Sequence, residues 1–354
     1  MRDVLEEWGP VIDETIARVL PREVDDAYLA SYFGEPTYAY DTEAIQAGLA
    51  DPVWELLDRG GKRWRSVLFL VLIEAFGHDP KDYLSYACIP EILHTGTIIV
   101  DDVEDDASLR RGEPALHQVY GTDVALNAGN ALYFIPLKLI DKNDADLSTD
   151  RQLQAYEMLT YELNRTHLGQ GMDIDWHNRR RTEVSEAEYL EMCACKTGCL
   201  ARITGRLSAI VTEQSAEIEE RVATYTERMS VAFQIIDDVL DIEHSLGEAG
   251  DFGKAFGNDI REGKTTLLVI HAMETADRDR AERLQSVLAM DQPSDDDVLD
   301  AIEILQETGS IDYSRQRASE LADEAEAAIG GLDLEPGPAE TLTGFPRFMI
   351  DRRV

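Results

Sequence analysis

Residues 91–106 read EILHTGTIIVDDVEDD, an apolar run that ends in five carboxylates. Ile98, Ile99 and Val100 lead directly into Asp101 and Asp102, and Asp101 and Asp105, four apart on a helix, share one face. A second run, FQIIDDVLD at 233–241, repeats the arrangement with Asp237, Asp238 and Asp241. Both spell DDxxD. Three carboxylates within one turn repel one another, and a hard cation such as Mg²⁺ turns that repulsion into binding. A single copy in an acidic chain reads equally well as a solvated charged face; a second copy on a second apolar helix favours the metal.

Outward from these runs, helical periodicity covers nearly the whole chain, while alternating β-branched runs with hairpin turns are scarce. The predicted helices are Val4–Val19, Thr42–Leu57, Ser66–Phe76, Tyr83–Asp105, Val124–Ile140, Asp150–Gln170, Glu186–Ile210, Ser215–Glu243, Thr266–Glu274, Asp295–Glu307 and Ser314–Ile329. Breaks fall at Pro21–Asp41, Arg110–Thr122, Asn178–Glu183, Ser245–Gly263 and Leu334–Pro338, where Gly, Pro and charged residues gather. None of them separates two regimes of composition, so the sequence predicts one all-α domain over residues 1–354.

The 354 residues include 33 Lys plus Arg against 70 Asp plus Glu, a formal charge of −37. That balance excludes a nucleic-acid partner, which needs a cationic surface. The acidic excess runs along the whole chain, in blocks such as Asp295–Asp297, and reads as solvation in a high-salt, halophilic cytoplasm. A plain acidic soluble protein is the blander alternative. Cys88, Cys193, Cys195 and Cys199 are too sparse for a disulfide framework and lack zinc spacing, so they are expected to be reduced and buried. The start carries Asp3, Glu6 and Glu7 instead of an export signal, and the longest apolar stretch, Val67–Ile73, is seven residues. A cytoplasmic protein without a membrane span is expected.

Scarce cations recur beside glycines: Lys62, Arg63 and Arg65 after Gly60 and Gly61, Arg110 and Arg111 before Gly112, Lys196 with Thr197 before Gly198, Lys254 after Gly253, and Lys264 after Gly263. Each alone is an ordinary surface cation. Together with carboxylates that hold Mg²⁺ they suit diphosphates, whose oxygens take metal bonds and charge-assisted hydrogen bonds at once.

The motifs GGKRWR (60–65), EILH (91–94), DDVED with LRRG (101–112), GQGMD (169–173), KTG (196–198), FQIIDDVLD (233–241) and FGKAFGNDIREGKTT (252–266) follow one another in an order that resembles the trans-isoprenyl diphosphate synthases, the polyprenyl synthetase family. The resemblance is dense from Leu57 to Ala272. It implies the isoprenoid synthase fold, a helical bundle around a deep central cavity, and a homodimer. It implies that Asp101, Asp102, Asp105, Asp237 and Asp241 bind Mg²⁺ bridging an allylic diphosphate. By the same resemblance Arg110, Lys196, Thr197, Gln234, Lys254 and Lys264 hold that diphosphate, and Lys62, Arg65, His94 and Arg111 hold isopentenyl diphosphate. Val100, Ser66 and Asn130 depart from the common family pattern at positions outside these sets.

In the family, bulky residues four or five positions before the first aspartate close the cavity floor; here Thr97 and Gly96 stand there. The floor is expected to be open, with Leu93 one turn deeper, or Phe69 or Phe76, setting the limit. The implied product is geranylgeranyl diphosphate, with a C25 or longer chain as the rival. A terpene cyclase or head-to-head synthase shares the fold but lacks this combination of motifs, and a noncatalytic diphosphate-binding subunit has no need of the full set.

Overall fold

Residues 64–75 are apolar in nearly every direction, and a helix of that kind is stable only in an interior. In the computed structural model, which describes residues 1–141, 147–246 and 257–351, helix Trp64–Ala75 is buried throughout except at Glu74. Helix Leu84–Glu104 packs on it, and helices Arg2–Val19 and Thr122–Phe134 pack on Leu84–Glu104 in turn. The last of these contacts is close because two glycines face it. A Cβ on Gly96 would stand 2.8 Å from Leu132 Cβ and 2.9 Å from the Gly129 carbonyl oxygen, and a Cβ on Gly129 would stand 2.8 Å from Val100 Cγ2.

The chain forms two compact units. One comprises Met1–Leu159, Thr204–Ala216 and Asp333–Thr341, and holds the helices just described; the other comprises Thr160–Ile203, Glu217–Leu332 and Leu342–Val354. In the second, one core gathers Trp176, Tyr189, Met192, Ile235, Leu267 and Leu321, and another gathers Val239, Ile260, Leu268, Leu284, Val298 and Leu305.

The all-α expectation holds: among the described residues the strands are Leu109–Arg110 and Glu113–Pro114, one antiparallel hairpin at the start of the predicted break at 110–122. Its central residues, Arg111 (φ 56°) and Gly112 (φ 80°), are both left-handed, as a two-residue hairpin turn requires. Among the described residues five α-helices escape the periodicity: Leu116–Tyr120 and Asn258–Arg261 are a turn or so long, and three are longer. Asp26–Phe33 is short, opened by Asp25, whose side chain accepts from Tyr28 N, and closed by Gly34 at φ 91°. Arg278–Leu288 is mostly charged or polar and buries only Leu284, Val287 and Leu288. Pro336–Ile350 carries Pro336 and Pro338 in its first turn and Pro346 further on, so breaker residues mask it. Two predicted helices, Thr42–Leu57 and Glu186–Ile210, are each interrupted by a π-helical turn, at Gln46–Ala50 and Ala194–Gly198. The helix predicted over 150–170 runs on as Thr149–Asn178. All four cysteines are free and buried, and no helix among the described residues is long and apolar enough to cross a membrane.

Candidate active site

The first DDxxD closes helix Leu84–Glu104, where Asp105 N bonds to Asp101 O at 2.9 Å. A helix C-terminus carries the negative end of the peptide dipoles, so carboxylates there are held against an unfavourable potential that cations relieve. Asp102 is turned inward and 2 % exposed, and its Oδ1 accepts both bonds offered by Arg110, from Nε at 2.7 Å and from Nη2. Burial pushes the Asp102 carboxyl above its ordinary range while Arg110 pulls against that shift. Asp101 is half-buried and Asp105 exposed.

Behind the aspartates lies a concentration of positive charge. Arg111 Nη1 donates to Gly60 O and, at 3.1 Å, to Leu56 O, so the hairpin turn is tied to the GGKRWR loop. Arg65 is buried with its guanidinium 4.4 Å from the centre of the Trp64 ring, while Lys62 is exposed. His94 Nδ1 is buried with no hydrogen-bond partner. Burial first, and then the charges of Arg65, Arg111, Arg110 and Arg63, hold this imidazole well below its ordinary pKa. It is therefore neutral, with one N–H to give. Thus Lys62, Arg65, His94, Arg110, Arg111 and the first aspartates come together in one unit.

The floor residues fare differently. Leu93 is fully buried, and Thr97 Oγ1 donates to His94 O at 2.8 Å within its own helix. Gly96 leaves no opening on the side it faces, because Leu132 and the Gly129 carbonyl already occupy it.

The second DDxxD lies within helix Ala216–Leu246 of the other unit. Asp237 is half-buried; Asp238 and Asp241 are buried. Asp241 Oδ2 accepts from Asp259 N at 3.1 Å. Asp238 accepts from Tyr189 OH at 2.7 Å and from Gln234 Nε2 at 3.0 Å, and Gln234 Oε1 accepts from Thr197 Oγ1 at 3.3 Å. Burial, with the Asp259 charge nearby, pushes the Asp238 carboxyl well above the usual range. Lys196 Nζ pairs with Asp173 Oδ2 at 2.5 Å, and Lys264 Nζ with Glu262 Oε2 at 2.6 Å and Asp259 Oδ1 at 3.5 Å. Lys196 and Thr197 sit on the π-turn, a feature frequent at functional sites, and the turn backbone comes so near Gly169 that a Cβ there would stand 2.3 Å from Lys196 N. Lys254 lies outside the described residues. Tyr189, Asp259 and Asp173 are partners that the sequence reading left without a role, although Asp173 closes the GQGMD motif.

Among the described residues no three His, Cys, Asp or Glu side chains converge on one point. Mg²⁺ needs no such cage, because it takes one or two carboxylates and completes its shell with water and substrate oxygens. Asp101 with Asp105, an all-oxygen pair at a negative helix end, fits that requirement.

The family model for polyprenyl synthetases matches residues 46–305. A short chain isoprenyl diphosphate synthase of Methanocaldococcus jannaschii is 35% identical over 260 residues, 73% of this chain and 76% of its own. A geranylfarnesyl diphosphate synthase of Natronomonas pharaonis is 31% identical over 313 residues, 84% of this chain and 88% of its own. The crystal structure of a geranylgeranyl pyrophosphate synthetase from Pyrococcus horikoshii Ot3 superposes with a TM-score of 0.82 at 27% identity, covering 99% of this chain and 97% of that one.

Proposed function

The chain belongs to the polyprenyl synthetase family, has the all-α isoprenoid synthase fold and is an isoprenyl diphosphate synthase; from that premise we propose that it condenses isopentenyl diphosphate with dimethylallyl, geranyl or farnesyl diphosphate to make geranylgeranyl diphosphate. The observation that carries the reading is the arginine cluster around neutral His94 beside the first aspartates, an arrangement suited to a phosphorylated ligand next to a cation site.

In this reading the whole chain works as one catalytic domain. Asp101, Asp102 and Asp105 on one helix and Asp237 and Asp241 on another hold Mg²⁺. When bound, the metal neutralises charge on the allylic diphosphate as its C–O bond breaks. Arg110, Lys196, Thr197, Gln234, Lys254 and Lys264 hold the departing diphosphate, and their preorganised donors stabilise charge that appears only as it leaves. Lys62, Arg65, His94 and Arg111 hold isopentenyl diphosphate so that its double bond attacks the allylic carbon, forming the new C–C bond. His94, neutral, donates a hydrogen bond and leaves proton removal to the departing diphosphate, which restores a double bond in the product. Leu93 and Thr97 line the path of the growing chain.

A C25 product is the second reading, favoured by the geranylfarnesyl diphosphate synthase relative. The enzyme works as a homodimer in a salt-rich cytoplasm: Phe134 and, on helix Thr149–Asn178, Leu153, Tyr161 and Leu168 are exposed large apolar side chains for which a second copy is a fitting cover. Incubating the protein with Mg²⁺, labelled isopentenyl diphosphate and each allylic starter at high salt, then sizing the dephosphorylated products, tests the proposal. A C20 product supports the first reading, C25 or longer the second, and no elongation by folded protein overturns both.

A further inference from the structure

GGKRWR carries three cations, and the proposed function gives Lys62 and Arg65 to isopentenyl diphosphate. Arg63, between them, is placed differently. Its backbone is left-handed at φ 50°, a conformation a residue with a Cβ keeps only when its surroundings enforce it. Its side chain is buried, and all three guanidinium nitrogens are committed to protein. Nε donates to Asp13 Oδ1 at 2.8 Å, Nη1 to Glu91 Oε1 at 2.9 Å, and Nη2 to Leu57 O at 3.0 Å. The loop closes over this group: a Cβ on Gly61 would stand 3.1 Å from Arg63 Nη1 and 3.3 Å from Arg111 Nη2. Such a guanidinium is not a phosphate ligand. It is a strut that holds the chain reversal between Lys62 and Arg65.

One of its acceptors comes from an unexpected place. Asp13 lies on helix Arg2–Val19, outside the residues 46–305 that the family model matches. We propose that Arg63 is a positioning residue, clamped by Asp13 and Glu91, which fixes the backbone that presents Lys62 and Arg65 to one diphosphate, and that the N-terminal helix is thereby a working part of the isopentenyl diphosphate site. The inference rests on the proposed function.

The Asp13 side chain is 58% exposed, so Asp13→Asn leaves the fold intact while weakening the clamp. At the lowest salt that keeps the protein folded, Asp13→Asn raises the KM for isopentenyl diphosphate roughly threefold and leaves the KM for the allylic substrate and the melting temperature unchanged. Arg63→Lys keeps the charge but brings one nitrogen to three acceptors, and raises the same KM by roughly tenfold or more. If Arg63→Lys does not fold, Asp13→Asn decides alone. An unchanged KM for isopentenyl diphosphate in folded Asp13→Asn, or equal rises for both substrates, overturns the positioning role while the functional reading stands. A wild-type protein that makes no elongated product removes both.

Discussion

His94 shows how much one side chain is shaped by its neighbours. Folding buries its imidazole among Arg65, Arg111, Arg110 and Arg63, so its pKa falls well below the ordinary 6.5. In the unfolded chain the group regains that ordinary value, and below it the unfolded state binds a proton that the folded state refuses. Stability contributed at this position is therefore complete above the unfolded pKa and is lost as pH falls, at up to about 1.4 kcal/mol per pH unit. His94→Gln removes this share of the slope. Denaturant titrations of both proteins between about pH 7 and about pH 5 check it, and parallel slopes would show that the imidazole titrates alike folded and unfolded. Asp102 and Arg110 make the complementary case: a buried carboxylate and a guanidinium joined by two bonds to one oxygen, neither of which is comfortable in that interior without the other.

At the scale of elements, the crossing of Leu84–Glu104 and Thr122–Phe134 is set by Gly96 and Gly129. Gly96→Ala forces a methyl against Leu132 Cβ and a carbonyl oxygen, and overpacking of this kind destabilises by about 1–3 kcal/mol. Leu132→Ala does not relieve the clash, because alanine keeps the offending Cβ; Leu132→Gly lowers stability by itself, but by less in the Gly96→Ala background than in the wild type. Denaturation midpoints of the single and double variants distinguish these outcomes, and a neutral Gly96→Ala would mean that the helices separate freely. The same pair shows where sequence reading stops. The two DDxxD helices are legible because Ile98–Val100 and Phe233–Ile236 announce an apolar face before the acids arrive. The close packing at Gly96 is not legible, because a missing side chain looks the same whether space or another backbone fills the gap. The π-turn at 194–198 is invisible for a related reason: shifting one hydrogen-bond register leaves no mark on the pattern CACKTG. Tyr189 reaches the second motif from a distant sequence position with nothing local to flag it, and Asp259, though it stands within the 252–266 motif, carries no mark there of its bond to Asp241.

For the whole molecule, charge is the dominant property. With 70 acidic and 33 basic residues, repulsion outweighs attraction over the surface, and exposed pairs such as Arg22–Asp58 offset little of it. Raising KCl from about 0.1 M to about 1 M shortens the screening length from about 10 Å to about 3 Å, so the melting temperature is expected to climb across that range. A flat profile would show that the acidic excess is already balanced at low salt. The carboxylates at the end of Leu84–Glu104 are a local instance of the same repulsion, and they make the empty enzyme less stable than the loaded one. Occupancy by one ligand, such as a diphosphate, at a hundred times its dissociation constant adds about 2.7 kcal/mol to unfolding. Heat resistance thus doubles as an optical assay: a dye-monitored melt in a multiwell plate can rank allylic starters and non-reactive mimics without isotope, chromatography or turnover.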